Sequence, residues 1–151
     1  MNSQIEFEET VSYLLAKVAT AYRNSLERKM VLIELHAGQV FVLIELWKKD
    51  GQRQIELAKK LNLSAPTVNK TLGGLFLKGY VRAESDPKDK RTSCVFLTDE
   101  GRKIREKIET QWIEVEESCL KGLREPERVV LFDLLSRLRN AFTGRETSEE
   151  E

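Results

Sequence analysis

Residues 54–101, QIELAKKLNLSAPTVNKTLGGLFLKGYVRAESDPKDKRTSCVFLTDEG, hold the reading that decides the fold. Ile55, Leu57, Ala58 and Leu61 fall at helical spacings and predict a short helix over Gln54–Leu61. Val68, Leu72, Leu75 and Phe76 predict a second over Ser64–Lys78, with only Asn62 and Leu63 between the two. Ser64 is a natural N-cap, and Pro66 falls in the first turn, where its missing N–H breaks no intrahelical bond. Lys78-Gly79 ends the second helix with a cation in its last turn and a residue that tolerates positive φ. Two helices on a tight turn, the second opening on small polar residues, predict a helix-turn-helix whose second helix fits a major groove.

Downstream, Tyr80–Glu84 and Thr92–Leu97 are rich in Tyr, Val, Thr, Cys and Phe and predict two strands. Between them Ser85-Asp86-Pro87-Lys88-Asp89-Lys90-Arg91 makes a charged loop with a Pro, a hairpin with a basic tip. Thr98-Asp99-Glu100 caps a long helix running to about Gly122, with Ile104, Ile108, Trp112, Val115 and Cys119 as its stripe. Upstream, about Ala37–Lys49 carries Val40, Phe41, Leu43, Ile44, Leu46 and Trp47 around most of its circumference, which predicts a buried central helix stopped by Asp50-Gly51. An amphipathic helix is expected from about Ile5 to Leu26, with Val11, Leu14, Leu15, Val18, Tyr22 and Leu26 on one face. A last helix starts near Pro126 with Val130, Leu131, Leu134, Leu135, Leu138 and Phe142, and residues 143–151 are expected to form a disordered acidic tail.

The 151 residues are enough for one compact domain, and the 40% hydrophobic and 33% charged shares exclude both a disordered chain and a membrane protein. No apolar run approaches the roughly 18 residues of a membrane span, and the acidic start carries no readable targeting signal, so a cytoplasmic location is expected. Net charge is zero, but residues 53–91 hold nine Lys or Arg against four Asp or Glu, between two acidic flanks. A basic middle suits a surface that faces a polyanion, although a solvated Lys-rich surface has the same composition. Two cysteines and one histidine supply no clustered metal site, so neither a metal nor a cofactor is expected. No HExxH, GxSxG, GxxxxGK[ST] or strand-following GxGxxG is present, which argues against an enzyme.

A helix-turn-helix followed by a basic hairpin and a long helix resembles the MarR family of transcriptional regulators. Asp86-Pro87-Lys88-Asp89-Lys90-Arg91 is similar to that family's DxxDxR wing, and Leu97-Thr98-Asp99-Glu100-Gly101 to the LTxxG that opens its next helix. Gly38-Gln39-Val40, Leu43, Leu57-Ala58, Leu75 and Lys78-Gly79-Tyr80-Val81 support the resemblance, which covers residues 36–101. Gly73-Gly74 and Ala83 depart from it. The implied fold is mainly α with a small β-hairpin wing, a winged helix-turn-helix with N- and C-terminal dimerisation helices. The expected layout is an arm over 1–35, the DNA-binding domain over 36–98, further arm helices over 99–142 and the tail. The implied function is a homodimeric regulator, a repressor on a pseudopalindromic operator, released by a small aromatic or anionic effector. The alternative is a winged-helix interaction module that no longer binds DNA.

For DNA contact the candidates on the second helix are Ser64, Pro66, Thr67, Asn69 and Lys70, and on the wing Arg82, Lys88, Asp89, Lys90 and Arg91. Asn69 suits adenine N6/N7, Lys70 guanine O6/N7 or only a phosphate, and the Thr67 methyl a thymine methyl. Ser64 suits a cap that also meets a phosphate. Arg91 suits a narrow minor groove, with Asp89 placed to pair with it or with a nearby base, and a solvated charged turn is the plain alternative. The resemblance implies an effector cavity, for which Tyr13, Tyr22, His36, Trp47 and Trp112 are candidates, with core packing the alternative for the aromatics. Cys94 and Cys119 read as strand or core filler, and the first helix lacks the cysteine of peroxide-sensing relatives.

Overall fold

The computed structural model describes residues 4–146. The chain divides into one compact unit that ends at Val115 and a second that begins at Glu116. In the first unit, a 3-10 turn at Phe7–Glu9 precedes α1 (Val11–Val31). The expected helix thus begins six residues late and continues past Leu26, because Thr10 caps it: its Oγ1 accepts the Tyr13 N–H at 3.2 Å. Glu34, at φ 59°, reverses the chain after α1, and the Leu35 N–H closes on the Met30 carbonyl at 3.1 Å.

α2 (Ala37–Lys48) is the central helix, with Val40, Val42, Leu43 and Leu46 at 0–1% exposure. α3 (Gln54–Leu61) and α4 (Ala65–Leu77) follow as expected, with Ser64 as the N-cap of α4. The turn between them works because Asn62 takes a left-handed conformation (φ 50°, ψ 50°), letting the Leu63 N–H reach the Ala58 carbonyl at 3.0 Å. Leu57, Val68, Leu72 and Leu75 are all fully buried in one core with α2. Each such side chain contributes about 1.5–3 kcal/mol relative to exposure. At the end of α4, Gly79 at φ 73° donates its N–H to Phe76 O while Tyr80 donates to Leu75 O, a Schellman closure.

The sheet has three strands, not two. β2 (Val81–Ser85) and β3 (Ser93–Leu97) form the hairpin, in the register Val81↔Leu97 to Ser85↔Ser93. β1 (Gln52–Arg53) pairs antiparallel on the other edge of β3. Two residues carry no readable alternation, so β1 has no sequence signature; Gln52 is nonetheless fully buried. Its Nε2 donates to the Glu45 and Lys49 carbonyls at the end of α2 (2.8 and 2.6 Å), and its Oε1 accepts from Lys60 at 2.6 Å.

α5 (Asp99–Leu120) starts where β3 stops. Thr98 Oγ1 donates to Gly79 O at 2.5 Å and accepts the Gly101 N–H at 3.1 Å, so one hydroxyl ties the end of α4 to the start of α5. Any Cβ at Gly101 would overlap the Tyr80 carbonyl, and Gly101 O accepts the Trp47 indole N–H at 3.1 Å. That close approach is the physical reason for Thr and Gly at this spacing. Gly74 has a similar role, since a Cβ there would overlap the amide of buried Gln39 on α2; a Cβ at Gly73 would meet nothing.

The second unit holds the last turn of α5 and α6 (Glu125–Glu146). The Arg128 guanidinium donates to Leu123 O and Leu120 O at 3.2 and 3.1 Å, closing the corner between them. α6 continues through residues 143–146, which were expected in a disordered tail; helical propagation costs little once a helix is nucleated. The remainder of that expected tail lies outside the described residues. Cys119 is exposed and not core filler, whereas Cys94 is buried in β3.

Candidate functional site

The outer face of α4 presents Ser64, Pro66, Thr67, Asn69 and Lys70, all exposed, while Val68, Leu72 and Leu75 hold the opposite face in the core. This division follows from the 3.6-residue period. Ser64 Oγ accepts the Thr67 N–H at 3.3 Å and lies 2.8 Å from Thr67 Oγ1, so both hydroxyls are occupied with the helix start. Asn69 Oδ1 accepts from Gln54 Nε2 at 3.1 Å, which links the outer face of α4 to the first residue of α3. Lys70 makes no ion pair among the described residues.

The wing is built on Asp86. Its Oδ2 accepts from Arg53 Nε and a terminal nitrogen at 3.0 and 2.7 Å, its Oδ1 accepts the Lys88 N–H at 2.9 Å, and its own N–H reaches Thr92 O at 2.9 Å. The Lys88 N–H, and after it the Arg53 guanidinium, hold this carboxyl below the usual carboxylate range against the opposing effect of burial. The first Asp of the DxxDxR pattern therefore orders the loop instead of facing outward. Arg53, its partner, was not legible as a functional residue: it lies 33 positions away, and only the pairing of β1 with β3 brings it there.

Asp89 does not pair with the Arg91 guanidinium, as the sequence suggested. Its Oδ1 accepts the Arg91 backbone N–H at 3.0 Å, and its carbonyl accepts from Thr92. An Asp two residues before a turn amide satisfies that amide locally, which leaves the Arg91 side chain unengaged. Lys88, Lys90 and Arg91 are exposed and in no ion pair among the described residues. Arg82 differs, because it pairs with Glu84 and lies over the Phe96 ring at 5.0 Å. The wing tip thus carries three exposed cations, in no ion pair among the described residues, on a loop whose backbone is held by two aspartates.

A cleft of about 480 Å³ lies between α2 and α5, lined by Ile44, Trp47, Lys48, Arg105, Ile108, Glu109 and Trp112. Of the five effector candidates it brings together Trp47 and Trp112, and Tyr22 backs the latter edge-on at 6.1 Å. Arg105 lies over Trp47 at 5.4 Å and bonds Glu109 at 2.6 Å. Tyr13 and His36 do not line the cleft. Tyr13 lies under Lys17, and His36 Nδ1 is 2.6 Å from Glu27 Oε1 at the start of α2. Glu27 Oε2 also accepts the Ala37 N–H at 2.7 Å. Burial opposes its charge, but these contacts hold the Glu27 carboxyl below its ordinary value.

A capped helix following a tight turn, with a cationic wing behind it, defines the chain as a winged helix-turn-helix protein. The model of the MarR family matches residues 35–93. The regulator TtmR of Methylorubrum extorquens is 32% identical over 130 residues, 86% of this chain and 64% of that relative, so the chain spans less than two thirds of its length. BilQ of Clostridium symbiosum is 31% identical across 67% of this chain and 70% of its own. Both are HTH-type transcriptional regulators. The crystal structure of the PcaV transcriptional regulator from Streptomyces coelicolor, in complex with its natural ligand, superposes with a TM-score of 0.76 at 25% identity, covering 92% of this chain and 98% of that one. The chain belongs to the MarR family of transcriptional regulators. No described helix is long and apolar enough to cross a membrane.

Proposed function

We propose that the chain represses transcription as a homodimer on a pseudopalindromic DNA operator and is released by a small aromatic anion. The observation that carries this reading is the set of cations Lys70, Lys88, Lys90 and Arg91 on α4 and the wing tip, in no ion pair among the described residues, next to wing carboxylates already engaged by the loop backbone and Arg53. Unpaired cations on an ordered loop are available for counterion release from phosphate, and α4 offers Thr67, Asn69 and Lys70 to base edges.

The proposed layout is an arm over 1–35, the DNA-binding domain over 36–98 and further arm helices over 99–142. Ile5, Phe7, Val11 and Leu14 are 61–74% exposed, and on α6 Val129, Phe132 and Phe142 are 63–75% exposed. Apolar surface on that scale favours a partner, and a second copy of the chain is the simplest one. The aromatic walls favour an aromatic ligand in the α2/α5 cleft, and for its carboxylate to be met Arg105 or Lys48 must exchange its present partner, Glu109 or Glu45.

The reading is tested by a gel-shift with DNA from upstream of the chain's own gene, followed by footprinting and sedimentation. Protection of two half-sites about 34–36 Å apart, from a species of twice the chain mass, is expected. A monomer at micromolar concentration would remove the dimer. The absence of any shift would favour the interaction module.

A further inference from the structure

We propose that Arg53 is a positioning residue for DNA binding: it holds the wing tip on the same rigid body as α4, so that the tip cations meet DNA without first being ordered. The inference rests on the DNA-binding reading above and goes beyond it by giving a role in affinity to a residue outside both candidate contact surfaces.

Residues 86–92 lie between β2 and β3 and belong to neither strand. Their shape is set from within. The Asp86 N–H reaches Thr92 O, Asp86 Oδ1 accepts the Lys88 N–H, and Asp89 accepts from the Arg91 N–H and the Thr92 hydroxyl. Their place is set from outside. Among the described residues, the only side-chain hydrogen bonds that tie this segment to another element are the two that Arg53 donates to Asp86 Oδ2, from Nε at 3.0 Å and a terminal nitrogen at 2.7 Å. The Asp86 side chain is only 10% exposed, so little water is at hand to replace the guanidinium.

The backbone of Arg53 is itself fixed. It pairs with Cys94 across β1 and β3, it is the N-cap residue of α3, and its N–H is accepted by Glu56 Oε2 at 2.8 Å. α3 in turn shares one core with α4 through Leu57 and Val68, both fully buried. The guanidinium therefore connects the tip that carries Lys88, Lys90 and Arg91 to the helix pair that carries Lys70.

A loose tip also meets DNA, but its backbone must then be fixed on binding, which lowers affinity by about five- to thirtyfold for each residue so ordered. A tip already held escapes that loss. The two members of the pair separate this effect from simple charge. Arg53→Gln removes a positive charge and Asp86→Asn a negative one, so electrostatics alone predicts weaker DNA binding for the first and tighter binding for the second. Positioning predicts weaker binding for both, because Asn has one oxygen where Arg53 and the Lys88 N–H need two.

The test is fluorescence anisotropy of a labelled duplex from upstream of the chain's own gene. It compares wild type, Arg53→Gln, Asp86→Asn, Arg91→Ala and the double variant Arg53→Gln/Arg91→Ala, each shown to be folded at the assay temperature by circular dichroism. Arg53→Gln and Asp86→Asn are each expected to bind about fivefold or more weakly than wild type. The loss caused by Arg53→Gln should shrink when Arg91 is already Ala, since the tip then has less to deliver; a general weakening of the fold would not depend on Arg91. Asp86→Asn binding as tightly as wild type or tighter, or an Arg53→Gln loss of equal size with and without Arg91, would overturn the proposal while leaving DNA binding intact. No binding by wild type would instead overturn the DNA-binding reading and this inference with it.

Discussion

Replacing Arg91 by Ala should change how DNA binding depends on salt more than it changes which DNA is bound. Of the cations among the candidate contacts, Arg82 is already paired with Glu84, which leaves Lys70, Lys88, Lys90 and Arg91 free on each chain. If each meets a phosphate, a dimer neutralises about eight, and the slope of log affinity against log salt is about −7. Between about 50 and 200 mM salt the wild type then loses roughly 2 × 10⁴ in affinity. Arg91→Ala removes about two contacts per dimer, giving a slope near −5.4 and a loss of roughly 2 × 10³. The deficit of the variant relative to wild type should therefore shrink about tenfold as salt rises across that range. Fluorescence anisotropy of a labelled duplex, titrated at several salt concentrations with operator and with scrambled DNA, measures both slopes. Parallel lines for variant and wild type would place Arg91 off the DNA. A Lys70→Ala variant separates the two roles open to Lys70: a phosphate contact flattens the slope as Arg91→Ala does, whereas a base-edge contact costs about 1–3 kcal/mol on the operator and less on scrambled DNA.

Gly101→Ala should destabilise the chain by about 2 kcal/mol or more, because its methyl meets the Tyr80 carbonyl and not a side chain that can turn away. Gly73→Ala, in open space on α4, should stabilise it by about 0.5–1 kcal/mol; thermal denaturation of both variants checks the pair, and equal melting temperatures would refute the packing account. Since the folded-state acidity of Asp86 is increased, its contribution is present above the unfolded carboxylate value, near pH 4, and is lost as pH falls through the lower folded value. Asp86→Asn should flatten the acid end of the stability profile and increase proteolysis of the wing at neutral pH, as read by limited digestion. Both tryptophans of the chain line the α2/α5 cleft, so an aromatic carboxylate that binds there should perturb nearly all of the tryptophan fluorescence. Loss of that response in Arg105→Ala, with the fold retained by circular dichroism, would identify the anion's partner, whereas an unchanged response would place the ligand elsewhere.

The winged helix was legible because its parts are local. Ser64, Pro66 and Gly79 act within a turn of where they stand, and the buried face of α4 is written in the spacing of Val68, Leu72 and Leu75. Candidate contacts on the exposed face followed from the same spacing. The effector candidates did not separate in this way. Trp47 and Trp112 share a cleft while Tyr13 and His36 lie apart from it, and periodicity alone assigns an aromatic to a face, not to a cavity.

By itself, then, the sequence determined the order of the helices, the caps that start and stop α4, the hairpin behind it and the basic character of its tip. These depend on backbone preferences and on apolar period, which act over a few residues. The tertiary structure alone decided that Arg53 anchors Asp86, that Gln52 seals the end of α2, that Asp89 leaves Arg91 unpaired, and that Gln54 takes the oxygen of Asn69. Such contacts either join residues well separated along the chain or depend on the orientation of one polar group. Hydrogen bonds act over about 3 Å and a narrow range of angles, so they exist only where the packed core has already brought donor and acceptor together.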